Sequence, residues 1–162
     1  MQPYHTCDPC QQFPPSKHHC CCRHKGKPNF YAQFGVQANP PSGSDLPFLT
    51  IFQKGNQIRL DSNTDIVLSA GYLYLIDYLF LATPEPNGYF QITPRINDSL
   101  QGLYSFFAPA NMRERNSSAS GSFTTIAASQ EDAILSFYLT YPETVRNIDI
   151  TGAVSVTPLM RI

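Results

Sequence analysis

The stretch Tyr72–Ala82, YLYLIDYLFLA, decides how the chain must fold. Successive side chains of a β-strand point to opposite faces of its sheet. One face of this segment is then Tyr72, Tyr74, Ile76, Tyr78 and Phe80, and the other is Leu73, Leu75, Leu79 and Leu81, interrupted only by Asp77. A sheet with one face in water alternates apolar and polar residues. This strand is apolar on both faces, so both are expected to be covered. About a dozen apolar residues holding a carboxylate are too few to span a bilayer.

Working outward, Ala133–Tyr141 repeats the pattern, with Leu135, Phe137 and Leu139 on one face and Ile134 and Tyr138 on the other. The terminal segment Ala153–Ile162 sets Val154, Val156, Met160 and Ile162 against Leu159. Seven more short segments are rich in aromatic and β-branched residues: Phe30–Val36, Phe48–Phe52, Gln57–Leu60, Asp65–Ala70, Tyr89–Asn97, Leu103–Phe107 and Gly121–Ala128. Turn-forming runs separate them, including PPSGSD, KGN, DSN, PEPNG and RNSSASG. Ten strands and no helical window predict an all-β sandwich or barrel.

In a sandwich the second sheet covers one face of the doubly apolar strands. With no helix to cover the other, a second copy of the chain is the expected cover. The alternative is ordinary core packing, with the aromatic residues of one face left in solvent. The candidate interface residues are Tyr72, Tyr74, Tyr78, Ile134, Tyr138 and Met160. Composition agrees with self-association: charged residues are 14% of the chain, against roughly 25% in an average soluble domain. Lys plus Arg number 11 and Asp plus Glu 12, so neither nucleic acid nor an anionic membrane is an expected partner. The N-terminus, MQPYHTCDPC, lacks the basic start and apolar core of a signal peptide, so synthesis in a cytoplasm is expected.

Residues 1–28 read as a separate connector, followed by one domain over 29–162. The connector holds all five Cys, all four His and five of the fourteen Pro, and it has no apolar periodicity. Two readings of its cysteines stand side by side. In the metal reading, the Cys7-x-x-Cys10 knuckle is completed by Cys20, Cys22, His18 or His24. Against it, three consecutive cysteines do not all point at one ion. In the disulfide reading, Cys7, Cys10, Cys20, Cys21 and Cys22 reach neighbouring subunits, each bond adding roughly 2–4 kcal/mol. Five is an odd number, so at least one cysteine per chain stays free or pairs between chains. Tyr4 and Phe13 would anchor a docked connector by burial, with Pro14 and Pro15 as a stiff spacer.

No enzymatic activity is expected. From Asn29 onward there is neither Cys nor His, which removes the usual nucleophile–base pairs and His-metal sites. Asp45, Asp61, Asp65, Asp98, Glu131 and Asp132 lie in turn-like stretches and read as solvated, with calcium in the EDA or DSNTD loops as the alternative. Asp77 is the exception: Arg95 or Arg161 is its expected partner, and a place on the symmetry axis of an oligomer is the alternative. No cofactor is expected.

The order GNQIRL, DIVLSAGYLYLIDY, ILSFYLTYP and GAVSVTPLMRI resembles the tumour-necrosis-factor-like, or complement-q-type, jelly roll, and in particular the C-terminal domains of BclA-type exosporium glycoproteins. The resemblance spans Asn29–Ile162 and implies a ten-stranded jelly roll assembled as a homotrimer. The chain departs from the BclA type in having no Gly-X-Y repeats, and nine glycines cannot form a triple helix. A jelly roll behind a Cys-bearing leader resembles the subunits of bacterial endospore appendages. That resemblance implies a spore-surface fibre built from itself, with an anchoring protein and a BclA-like tip protein as further partners. The alternative is a trimeric exosporium module that binds a ligand, with the leader holding metal or anchoring to the coat.

Overall fold

The computed structural model describes residues 28–113, 116–127, 131–146 and 148–162. The connector residues Tyr4, Cys7, Cys10, Phe13, Pro14, Pro15, His18, Cys20, Cys21, Cys22 and His24 lie outside the described residues. Twelve strands form two antiparallel sheets, with no α-helix among the described residues. The strands are β1 (Tyr31–Ala38), β2 (Ser44–Asp45), β3 (Leu49–Lys54), β4 (Ile58–Leu60), β5 (Ile66–Leu68), β6 (Tyr72–Ala82), β7 (Tyr89–Ile96), β8 (Ser99–Leu100), β9 (Phe106–Pro109), β10 (Ser117–Ile126), β11 (Ala133–Thr140) and β12 (Ile150–Arg161).

The first sheet runs β10-β6-β12-β1-β3. The second runs β4-β5-β11-β7-β8, with β2 also paired to β11 and β9 to β7. Most neighbours, such as β6 with β12 and β1 with β12, are far apart in sequence, as in a jelly roll, while β4–β5 and β7–β8 are consecutive hairpins. The long central strand β6 holds β12 on one side and β10 on the other through continuous registers. Its four aromatic residues and Ile76 favour extended backbone, and its place between two strands lets both edges hydrogen-bond.

The core is aromatic and joins the sheets. Phe137 of β11 meets Phe80 (5.5 Å, 69°) and Tyr78 (5.3 Å, 67°) of β6 edge-on, and Phe48 packs against Phe137 at 5.9 Å. Edge-to-face rings of this kind gain roughly 0.5–1.5 kcal/mol beyond burial alone. The hairpin between β7 and β8 turns on Asn97 (φ 47°) and Asp98 (φ 62°), the two left-handed positions of a type I′ turn. The Asn97 side chain also accepts the Ile134 backbone N–H at 2.8 Å, tying that turn to β11.

Ten strands are expected from the sequence and twelve form, and PPSGSD, expected as a turn, supplies β2 at Ser44–Asp45. RNSSASG, expected as a turn, contributes Ser117–Gly121 to β10, because Ala119 faces the core while Ser118 and Ser120 face out. Leu103–Phe107, expected as one strand, divides into a 3-10 turn at Gly102–Tyr104 and the strand β9.

A candidate assembly face

Sheet register decides which side of β6 is free. Tyr74, Ile76, Tyr78 and Phe80 are buried in the core, whereas Leu79 and Leu81 are 51% and 50% exposed. The interface expected at Tyr74 and Tyr78 is thus corrected: these side chains are used up inside one chain. Tyr74 Oη donates to Ser69 O and Tyr78 Oη to Tyr104 O, each at 2.8 Å. Burial raises both phenols above the ordinary tyrosine range. Tyr72 is half-buried and stands edge-on to Phe30 at 5.0 Å. Ile134 and Tyr138 are on β11, in the other sheet, so they do not share a face with the free leucines. Of the expected set, Met160 alone is placed on the free face, exposed opposite Leu73 in the β12–β6 register.

The free face has an aliphatic centre and an aromatic wing. Leu79 lies between Ser120 of β10 and Ala153 of β12, and Leu81 between Ser118 and Thr151. Small neighbours leave the leucine side chains standing proud of the sheet. Gly152, beside them, is a position where a Cβ would collide with the Leu79 carbonyl and the Phe80 ring, so β12 and β6 pack closely there. At the sheet's edge, the ladder slips one residue between Gln33 and Phe34, and Leu49, Ile51 and Phe52 of β3 are all exposed, Leu49 at 74%. Phe52 stacks on Tyr31 at 5.0 Å and 20°. Asp77 is exposed in the middle of the leucine row.

The expected Asp77 ion pair is also corrected, since Arg161 lies opposite Tyr72, five residues along β6 from Asp77, and Arg95 instead binds Asp45 at 2.9 Å. That pair is on the outer side of the second sheet, with the guanidinium 4.7 Å over the Tyr138 ring. Asp45 Oδ1 and Arg95 Nε are buried without a partner. Burial pushes the Asp45 carboxyl upward, against the opposing pull of Arg95. Asp132, expected to be merely solvated, accepts the Ala70 backbone N–H at 3.0 Å and a long 3.4 Å contact from Arg59. No group of three or more metal-ligating side chains gathers among the described residues.

A second feature lies at one pole of the sandwich, where β1, β6, β10 and β12 come to their ends. A groove of about 660 Å³ opens there, lined by Gln37, Asn39, Leu81, Ser118, Asp149 and Thr151 among others. Sequence reading missed it, because its walls come from four segments distant in the chain.

These features define a two-sheet jelly roll with an unsatisfied aliphatic face. No family model matches the chain, and no curated protein matches it in sequence. The fold is similar to the globular domain of zebrafish complement 1qA, with a TM-score of 0.55 and 5% identity over 83% of this chain and 100% of that one. It is similar to the PRD1 vertex protein P5, with a TM-score of 0.50 and 14% identity over 78% of this chain and 95% of that one. It is likewise similar to murine APRIL, with a TM-score of 0.50 and 10% identity over 77% and 97% of the two chains. The fold is therefore a jelly roll of the tumour-necrosis-factor and complement-1q type.

Proposed function

We propose that this chain is a non-enzymatic structural subunit that associates through the leucine face of its first sheet into homotrimers. The trimers stack head to tail through residues 1–28 into a disulfide-linked fibre on a spore surface. Synthesis takes place in the mother-cell cytoplasm, and an anchoring protein and a tip protein close the two ends. The observation that carries the reading is the half-exposed pair Leu79 and Leu81 on β6 of the five-stranded face. Their lost hydration favours burial by about 25 cal/mol for each Å² of apolar surface covered, and the serine, alanine and threonine neighbours let a second surface approach closely. The resemblance to appendage subunits and the clustered cysteines support the fibre step.

Light scattering of the full-length protein in reductant tests the first step: a particle three times 18.1 kDa is expected, and a monomer at micromolar concentration overturns it. Negative-stain microscopy tests the second. Filaments are expected that survive boiling detergent and come apart when reductant is added. A chain lacking residues 1–24 should give trimers without filaments, and polymerisation of that chain would refute the connector's role.

A further inference from the structure

Register places the outward side chains of the first sheet in rows that cross its strands. One row is Ser120, Leu79, Ala153 and Gly35, and the next is Ser122, Asp77, Ser155 and Gln33. Asp77 thus stands between Leu75 and Leu79 along β6 and between two serines across it. Its side chain is exposed, and among the described residues none donates a hydrogen bond to the carboxylate. The ion pairs found there, Arg59–Asp132 and Arg95–Asp45, do not include it, and the side-chain bond in its row runs from Gln33 to Ser155.

The cations of this sheet are distant. β1 and β10 carry no charged residue, β12 carries Arg161 and β3 carries Lys54. Arg161 lies opposite Tyr72, five residues along β6, or about 17 Å of strand. Lys54 is on the edge strand, three strands across, or about 14 Å of sheet, and donates to Asn29 Oδ1 at 2.7 Å. Both spacings exceed the screening length of about 8 Å at physiological salt. The other titratable groups toward this side are the Tyr31 phenol on β1 and Asp149, which precedes β12 beside Thr83. We infer that Asp77 makes association through the leucine face acid-dependent, each copy taking up one proton at this carboxylate as a neighbouring copy covers it. The inference rests on the assembly reading above and adds its control.

A carboxylate brought under an apolar surface gives up its water, and here no cation of its own face replaces that water. The protonated acid has an O–H donor and an acceptor oxygen, and the hydroxyls of Ser122 and Ser155 beside it both donate and accept. The neutral form is therefore the one that is covered at low cost. The sign follows from proton binding: the covered state holds more protons than the separated chains, so association strengthens as pH falls. The gain ends where the separated chains are protonated as well. A trimer brings three such groups together, so up to three protons are taken up per particle and the dependence is steep.

Dilution of the full-length protein in reductant, followed by fluorescence-detected sedimentation between pH 5.5 and 7.5, gives the concentration at which half the trimers have dissociated. For the parent, that concentration is expected to fall at least tenfold from pH 7.5 to 5.5. Asp77→Asn keeps the shape and removes the charge. Its trimers are expected to persist to at least tenfold lower concentration than the parent's at pH 7.5, with most of the slope gone. The four leader histidines titrate in the same range, so the slope is read as the difference between parent and variant. Asp98→Asn, exposed on the β7–β8 turn, is the control and should keep the parent's profile. An Asp77→Asn protein that dissociates at pH 7.5 as the parent does, or that keeps the full slope, overturns the inference. One that dissociates more readily overturns it too, by showing that a cation of the partner copy pairs with Asp77. Trimers that survive Leu79→Lys with Leu81→Lys overturn the leucine-face reading itself. Trimers lost to those lysines yet indifferent to Asp77→Asn leave that reading standing and remove the acid control alone.

Discussion

The two outward faces of the sandwich have opposite habits. The second sheet pairs much of its polar surface within the chain, although Asp45 Oδ1 and Arg95 Nε stay without partners: Arg95 is paired with Asp45 beneath Tyr138, and Thr93, Gln91 and Ser105 share hydrogen bonds of 2.7 to 2.9 Å. The first sheet presents Leu79, Leu81 and Met160 to the outside, and the Gln33 amide donates to Ser155 Oγ across that face at 3.2 Å. The second sheet also leaves Ile134 and Phe107 exposed, but as separate side chains beside polar pairs and not as a leucine row. A face whose leucines are half bare is completed by another surface.

The sharpest way to break this comparison is the double substitution Leu79→Lys with Leu81→Lys. Cations on the assembly face should abolish the trimer in light scattering while far-UV circular dichroism and monomer melting stay close to the parent. An intact trimer would mean that another face carries assembly. Its mirror image is Phe80→Ala, between the two leucines but on the core side. That cavity is expected to cost about 3–5 kcal/mol in denaturant unfolding of the reduced protein, and a change below 1 kcal/mol would contradict the burial pattern.

Smaller effects sharpen the other side. Arg95→Ala leaves the Asp45 carboxylate half-buried without its cation, for an expected loss of about 1–3 kcal/mol with no change in oligomeric mass. If Arg95→Ala dissociated trimers, the second sheet would belong to the interface too. The mildest probe is alkaline pH. Tyr74 and Tyr78 ionise less readily folded than unfolded, so their contribution is complete below about pH 10, the unfolded value, and declines as pH rises above it. Each would cost at most about 1.4 kcal/mol per further pH unit, and phenolate absorbance equal to two of the nine tyrosines should appear only on unfolding. All nine phenols ionised before unfolding would show Tyr74 and Tyr78 to be open to solvent.

The strand content and the doubly apolar character of β6 were legible because alternation is local: residues two apart share a face whatever the rest of the chain does. Which face turns inward was not legible, since both are apolar. Asp77 was the clue, for a carboxylate in the leucine row marks the side that does not enter the core. Ile134 and Tyr138 misled for a different reason, because periodicity says nothing about which sheet a strand joins. β10 was hidden behind its serines, which resemble a turn until Ala119 and Phe123 are seen to alternate with them. The Arg95–Asp45 pair joins residues fifty positions apart, and the groove joins four strand ends. Neither has a local signature. The connector residues, most conspicuous in the sequence, lie outside the described structure.

Ile162 closes on Gly71, its N–H donating to the Gly71 carbonyl at 2.9 Å, at the same pole where Pro28 begins the described chain. The opposite pole carries the groove. The molecule is therefore a vector, and a filament made by repeating it has two chemically unlike tips.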